Sequence, residues 1–433
     1  MDNDFQHLEE CRNLKICVGA KSTHVVAIER FVPQRSMVLV DIWPPTGFAQ
    51  GLCNVFVEED YLLDEAFIRL TGYQGNYSVG NNLFSKEPIA AVTSNDDPEF
   101  SSFVTAVIQG LFIAQKYNVS QENADSFPQT LVFGPDHKHM FRDAILVAGN
   151  FGEIQDLATK EKSTPSPLNL INDGSTPLLF SHPLGSIAEV SSNPRTDQQV
   201  GPILSSVRSR GFLRCGIRTV ERPGFAEKMV NNTLASTYRG MEVDFCHAVA
   251  ASLFQGDMMA VEFIEVETRS DGFALLSNGS FDILAGATWN LENDVREPTT
   301  GHGFAFSQPY FYGYSSEEDN LCLATTEDDH DWAAFVYWIL SATIYADEQG
   351  ISRETSNTMP TVQVFGPALL RMFRDAILEV GSYAEIYDRN LQALIPRHGR
   401  NKLNLFPNTG PQHYLYPDII PQSLDDKPHW LHR

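Results

Sequence analysis

The sequence is short of positive charge. It sets 31 Lys and Arg against 55 Asp and Glu, for a formal net charge of −24. Nucleic-acid affinity comes mainly from Lys and Arg neutralising phosphates, so that class of partner is excluded, and an anionic membrane surface is disfavoured for the same reason. Long apolar runs are also missing. The longest uncharged apolar stretch, Trp332 to Ala346, lies between Asp331 and Asp347. It would make about 22 Å of helix, short of a hydrocarbon core of roughly 30 Å, and it reads as a buried core helix. The start, MDNDFQHLEE, has neither the basic residues nor the apolar run of a secretory signal, so either an intracellular chain or an incomplete N-terminus is expected. Catalytic signatures are absent as well: there is no GxSxG, no HExxH and no phosphate-binding loop. The cysteines form no CxxC and no Cys–His spacing suited to zinc, so neither metal nor cofactor is expected.

What the chain does have is one stretch twice. Thr93 to Asp156 recurs as Thr325 to Asp388 without a gap, at an offset of 232 residues that carries Phe133 to Phe365 and Met140 to Met372. Two copies of this length are not a solenoid, which stacks three or more short units. The residues preceding each copy do not resemble one another. One module has been duplicated beside two different neighbours.

The first neighbour, from Leu14, reads as strand LKICV, a helix, strand SMVLVDI, a helix, strand CNVFV, a helix over Tyr61 to Thr71 and a strand YSVGNNLF. Short apolar strands alternating with helices indicate a parallel α/β unit. A Ser-, Pro- and Asn-rich linker follows the first helical copy. The second neighbour opens with helix ILSSVRSRG and strand FLRCGIR. It continues through helices over Met241 to Phe254 and Arg269 to Ser277 and strands AVEFIEV and FDILAGAT, and LCLATTEDD leads into the second copy. The expected units are 1–160, a linker 161–202, 203–396, and a loop-like tail 397–433. Cys17 and Cys53 are 36 residues apart and Cys215 and Cys246 are 31 apart, each pair beginning in a strand. That suggests one bridge per unit in an oxidising compartment. Buried free thiols are the other reading.

The segments FLRCGIR, PGF, YRGMEVDFCHAVAASLF, LLSNGSFDILAGATWN and FSQPYFYGY resemble the first lobe of family 3 extracellular solute-binding proteins, nearest the general L-amino-acid-binding periplasmic type. The resemblance implies an α/β fold of the two-lobed, type II periplasmic-binding-protein kind that closes on an amino acid. Leu14 to Phe84 resembles the second lobe, and the duplicated helices resemble the C-terminal segment that returns to the first. The lobe order would then be shuffled, with one helical segment surplus.

An amino acid needs donors for its carboxylate, a carboxylate for its ammonium and apolar walls. The resemblance puts an aromatic wall at Phe225 and a carboxylate-binding segment at Thr288, Trp289 and beyond. The Arg of that family pattern is absent, and Arg296 either reaches back to replace it or faces solvent. Ser22 and Thr23 open a helix after the first strand and are either ligand contacts or an ordinary cap. Among Glu58, Glu59 and Asp60, position favours Glu59 for the ligand ammonium and side-chain length favours Asp60. Asp244 reads as a helix cap, the acids at 328–331 as a helix N-terminus, and no His is expected at a cleft landmark.

The function so implied is capture of an L-amino acid or similar small zwitterion, in the periplasm or outside the cell, for a membrane permease. The alternative is a receptor or regulatory remnant that has lost its ligand. Enzymatic activity is not expected, since Glu59 and Glu292 are the only acid–base candidates. The surplus helices would pack as a separate layer or swap into a homodimer.

Overall fold

A computed structural model describes residues 13–20, 22, 24–29, 34–59, 62–63, 65–80, 90–159, 200–219, 222–229, 237–289, 291–295, 303–312 and 321–397. The N-terminal part runs β1 (Ile16–Gly19), α1 (His24–Glu29), β2 (Met37–Val40), α2 (Pro44–Ala49), β3 (Val55–Phe56) and α3 (Glu65–Leu70). The three strands form one parallel sheet in the order β2-β1-β3, with Ile16 facing Met37 on one side and Val55 on the other. Parallel neighbours need a crossover, and the two short helices supply it. Ile16, Val18 and Ile28 are fully buried between sheet and helix, and the apolar clusters here draw only on residues 14–57. A disulfide joins Cys17 in β1 to Cys53 just before β3. Two expectations are corrected. Among the described residues the helix expected over 61–71 is present as Glu65–Leu70, with 61 and 64 outside them, and residues 77–80 of the expected strand YSVGNNLF are irregular, with 81–84 also outside the described residues.

The first helical copy follows as α4 (Pro98–Lys116), α5 (Met140–Ala148) and α6 (Phe151–Thr159). The third part comprises α7 (Pro202–Arg210), β4 (Leu213–Ile217), β5 (Glu227–Met229), β6 (Thr237–Arg239), α8 (Met241–Leu253), β7 (Val261–Glu265), α9 (Arg269–Ser277), β8 (Ile283–Thr288), α10 (Leu291–Asp294), β9 (Phe304–Phe306) and β10 (Leu321–Thr326). The second copy closes the described chain as α11 (His330–Glu348), α12 (Met372–Val380) and α13 (Tyr383–Asn390). The sheet of the third part has the order β7-β4-β8-β10-β9, parallel from β7 to β8 and antiparallel at β10 and β9. The chain is therefore α/β. Most of the linker at 161–202 lies outside the described residues, though Pro202 already opens α7.

The repeat is structural as well as sequential. Asp97 caps α4 by accepting from the Phe100 amide at 2.9 Å, and Asp329 caps α11 by accepting from the Trp332 amide at 3.0 Å. The Gln121 amide reaches the Glu153 carboxylate as the Arg353 amide reaches that of Glu385. Gly149 and Gly381 end α5 and α12 at φ +87° and +90°, a region that side-chain-bearing residues avoid. The expectation of a helix N-terminus at 328–331 holds.

The surroundings of the copies differ. The second packs into the main core, where α12 lies along α8, Trp332 donates from its ring to the Asp282 carbonyl at 2.9 Å, and Ser252 bonds the Met372 carbonyl. Ala248, Ala250 and Ala251 leave α8 slim enough to be buried over nearly its whole length, and a disulfide ties its Cys246 to Cys215 of β4. The first copy instead forms its own cluster around Phe141 and Ile145, joined by Leu291 and Val295 from the segment after β8. Phe100 is thus 54% exposed where its twin Trp332 is sealed at 0%. Asp244 is corrected too: it does not cap α8, which begins at Gly240 without a side-chain cap, but binds Arg389 and Asn390 of α13. Its carboxylate joins two helices.

Candidate functional site

In a parallel sheet every strand delivers its carboxyl end to the same edge, where ligands of open α/β sheets gather. After β1 come Ser22 and His24, after β2 comes Trp43, and after β3 come Glu58 and Glu59. These ends converge. The Trp43 ring N–H donates to Glu58 Oε1 at 2.8 Å, His24 Nδ1 lies 3.8 Å from Glu58 Oε2, and His24 Nε2 lies 3.4 Å from Glu59 Oε1. Phe67 of α3 meets the Trp43 ring edge-on at 4.4 Å. Burial pushes the Glu58 carboxyl above its ordinary range and neighbouring Glu59 adds to this, while the Trp43 hydrogen bond and His24 oppose it. The two acids differ in access, with side chains 10% and 42% exposed for Glu58 and Glu59. Glu58 is held by the protein, and Glu59 is open enough to meet a cation.

Ser22 closes the turn after β1, its hydroxyl donating to the Gly19 carbonyl at 2.9 Å. Thr23 and Asp60 lie outside the described residues. His24 corrects the expectation that no His stands at a cleft landmark. Sequence reasoning missed it because nothing local marks it: its partners lie 34 and 35 residues downstream.

The second group of candidates sits where β4 and β8 end. Phe225 is only 6% exposed, packed edge-on against Phe311 at 4.8 Å with the Arg222 guanidinium over its ring at 4.9 Å. It is a core residue rather than an open wall. Arg222 forms a buried ion pair with Glu242 at 2.8 Å, of the kind that costs most when one partner is removed. The pair presses on the backbone of β8. Gly286 sits at φ +73° opposite a register shift in β10, and a Cβ there would lie 2.6 Å from Glu242 Oε1. Its amide donates to the Tyr310 hydroxyl at 2.9 Å, and Tyr310 is pushed well above its usual range by burial and by Glu242. No candidate site residue of the sequence reading pointed to this pair.

At the end of β8 the Thr288 hydroxyl is buried and has no hydrogen-bond partner among the described residues. Its carbonyl accepts from the Asn293 side chain at 2.9 Å, so Asn293, standing in the place of the missing Arg, fastens the turn. Trp289 lies parallel to Phe306 at 6.2 Å and donates its ring N–H to Asp294 at 3.0 Å. Arg296 lies outside the described residues, as does the side chain of Glu292. Asp294 is raised above its ordinary range by burial, against hydrogen bonds from Ser102 and Trp289. Among the described residues no group of His, Cys, Asp and Glu is arranged to hold a metal ion.

Comparison with known proteins finds similarity over part of the chain. The chain is 34% identical over 110 residues to the general L-amino acid-binding periplasmic protein AapJ of Rhizobium johnstonii, covering 25% of this chain and 29% of that one. Part of the chain is similar to amino-acid-binding proteins of importers. A putative amino-acid ABC transporter-binding protein of Escherichia coli, YhdW, gives 32% identity over 113 residues, 26% of this chain and 30% of that one. The chain thus spans under a third of the length of the curated relatives it matches. Among solved structures, a periplasmic binding protein of Brucella ovis with glutathione bound aligns at a TM-score of 0.36 and 20% identity, over 46% of this chain and 94% of that one. No family model matches.

Proposed function

We propose that this chain captures an L-amino acid, or a small zwitterion like it, as the solute-binding component of amino-acid uptake, handing its ligand to a membrane permease. The observation that carries the reading is the pair Glu58 and Glu59 at the carboxyl edge of the parallel sheet, one fixed by Trp43 and one left open. An ammonium is the natural partner of the open carboxylate. The unpartnered Thr288 hydroxyl supplies a donor for the ligand carboxylate, and Trp289 an apolar surface for its side chain. The reading sets these groups on the facing walls of one cleft between the two α/β units, rebuilt from lobes in shuffled order.

The activity is binding without chemistry. Two disulfides support a periplasmic or extracellular place of work. A homodimer formed by exchange of the first helical copy would have to displace the second, which already covers α8. The monomer is therefore the form we favour.

The test is a thermal-shift screen of the full chain against the twenty L-amino acids. A ligand at 100 times its Kd adds about 2.7 kcal/mol of stability, so one or several should raise Tm saturably, and Glu59→Gln should abolish the shift. If no amino acid moves a cooperative melt, the ligand-free remnant takes its place.

A further inference from the structure

The carboxyl edge of β1, β2 and β3 sets one imidazole between two acids. His24 opens α1 with its ring placed so that Nδ1 lies 3.8 Å from Glu58 Oε2 and Nε2 lies 3.4 Å from Glu59 Oε1. A neutral imidazole carries a single N–H and would turn the lone pair of its other nitrogen toward a carboxylate, whereas the protonated ring has a donor for each. The geometry suits a charged ring. With its side chain 13% exposed, the ring is also poorly screened by solvent and salt.

Among the described residues the charged groups facing the ring are Glu58 and Glu59. Asp41 after β2 and Glu65 of α3 make no ion pair with it, Glu65 pairing instead with Arg69, and Ser22, Trp43 and Phe67 bring no charge. The two acids are not equivalent partners. Glu58 Oε1 already accepts from the Trp43 ring and its side chain is closed off, while the Glu59 carboxylate is 42% exposed and the described donor nearest it is His24. A ligand ammonium drawn to Glu59 has to share that carboxylate with the imidazole.

We infer that His24 is the resident counter-ion of the acid pair and competes with the ligand ammonium for Glu59, so that capture releases a proton from the ring to solvent and weakens in acid. The inference rests on the amino-acid-binding reading for its ligand, though not for its geometry. An imidazolium and an ammonium on one carboxylate repel each other, so the ammonium binds more tightly beside the neutral ring. By reciprocity the bound ammonium loosens the ring's proton. Imidazole is the side chain whose charge ordinarily changes between about pH 5 and 8. Glu58 adds a second response of the same sign, since burial holds its carboxyl above the ordinary range, and Glu58→Gln removes that contribution.

The experiment is a calorimetric titration of the full chain with the one of the twenty L-amino acids that gives the largest thermal shift, at about pH 8 and about pH 5.5, in two buffers of different ionisation heat. Affinity should fall about tenfold toward acid, less than a contact pair of cations would give because Glu59 is partly exposed, and the heat should differ between buffers as a released proton requires. Glu58→Gln should keep most of the fall and His24→Gln should remove it. A fall of the same size in His24→Gln, or no released proton in the unaltered chain, would overturn the competition. A second readout needs no amino acid. The His24 ring resonances, identified among twelve His by their loss in His24→Gln, should be displaced by Glu59→Gln across the same pH range. If no amino acid binds while these resonances respond, the amino-acid reading falls and the competition with it, and the counter-ion role stands. Resonances indifferent to Glu59→Gln would overturn the counter-ion role whatever binds.

Discussion

The duplicated cap offers a controlled perturbation, because the same residue at the same place in two copies has different work to do. Asp97 accepts one amide hydrogen bond, from Phe100 in an exposed first turn. Asp329 accepts from Trp332 in a buried turn and, with its other oxygen, from the amides of Ile203 at 2.6 Å and Leu204 at 3.3 Å at the start of α7. Loss of an ordinary Asp cap costs about 1 kcal/mol. Leaving buried amides without an acceptor adds about 1–3 kcal/mol, so Asp329→Ala should cost about 3 kcal/mol and Asp97→Ala about 1 kcal/mol. Amide hydrogen exchange followed by mass spectrometry reads the two copies separately. Protection in peptides of α11 should fall by about 150-fold in Asp329→Ala, and in peptides of α4 by about fivefold in Asp97→Ala. Equal losses in the two variants would refute the claim that the second copy is seated through its cap on α7 and the first is not.

Three further outcomes follow from the same structure. The disulfides close loops of 36 and 31 residues, so removing either by Cys→Ala should cost about 4 kcal/mol on loop entropy. Non-reducing peptide maps should show Cys17 with Cys53 and Cys215 with Cys246, with Cys322 unmodified and buried. Glu58 has its folded pKa raised, chiefly by burial, so its contribution is fully present below the unfolded value near 4.5 and is lost as pH rises through the folded one. Glu58→Gln should therefore flatten the fall in Tm above that value and leave the protein no less stable at pH 7. Tyr383→Phe removes a buried hydrogen bond to the Tyr310 carbonyl at 2.6 Å and should lower stability by about 1–3 kcal/mol in urea melts.

How far the sequence reveals this molecule depends on the range of the contacts. The repeat, its capped helices and the β4–α8 framework were legible because periodicity and capping are local, and because the second copy confirms the first residue by residue. The cysteine spacing pointed to the two bridges although they span 36 and 31 residues, because the two gaps are alike and each begins in a strand. Over 61–71 the described helix opens at Glu65, whose carboxylate suits the positive N-terminal end of a helix. Asp244 was misread because a carboxylate in a first turn caps a helix when no cation is near, and Arg389 arrives from 145 residues away. His24 meets Glu58 and Glu59 only once parallel pairing has aligned three strand ends. Likewise, the buried pair Arg222 and Glu242 depends on a bulge at Gly286 set by the register of β10.

The measurement that bears most directly on the account is a calorimetric titration of the full chain with the amino acid that gives the largest thermal shift. One ligand per chain should bind with saturable heat, and Glu59→Gln should remove that heat while leaving the melt cooperative. Absence of saturable heat with all twenty L-amino acids, from a chain that melts cooperatively, would contradict amino-acid capture.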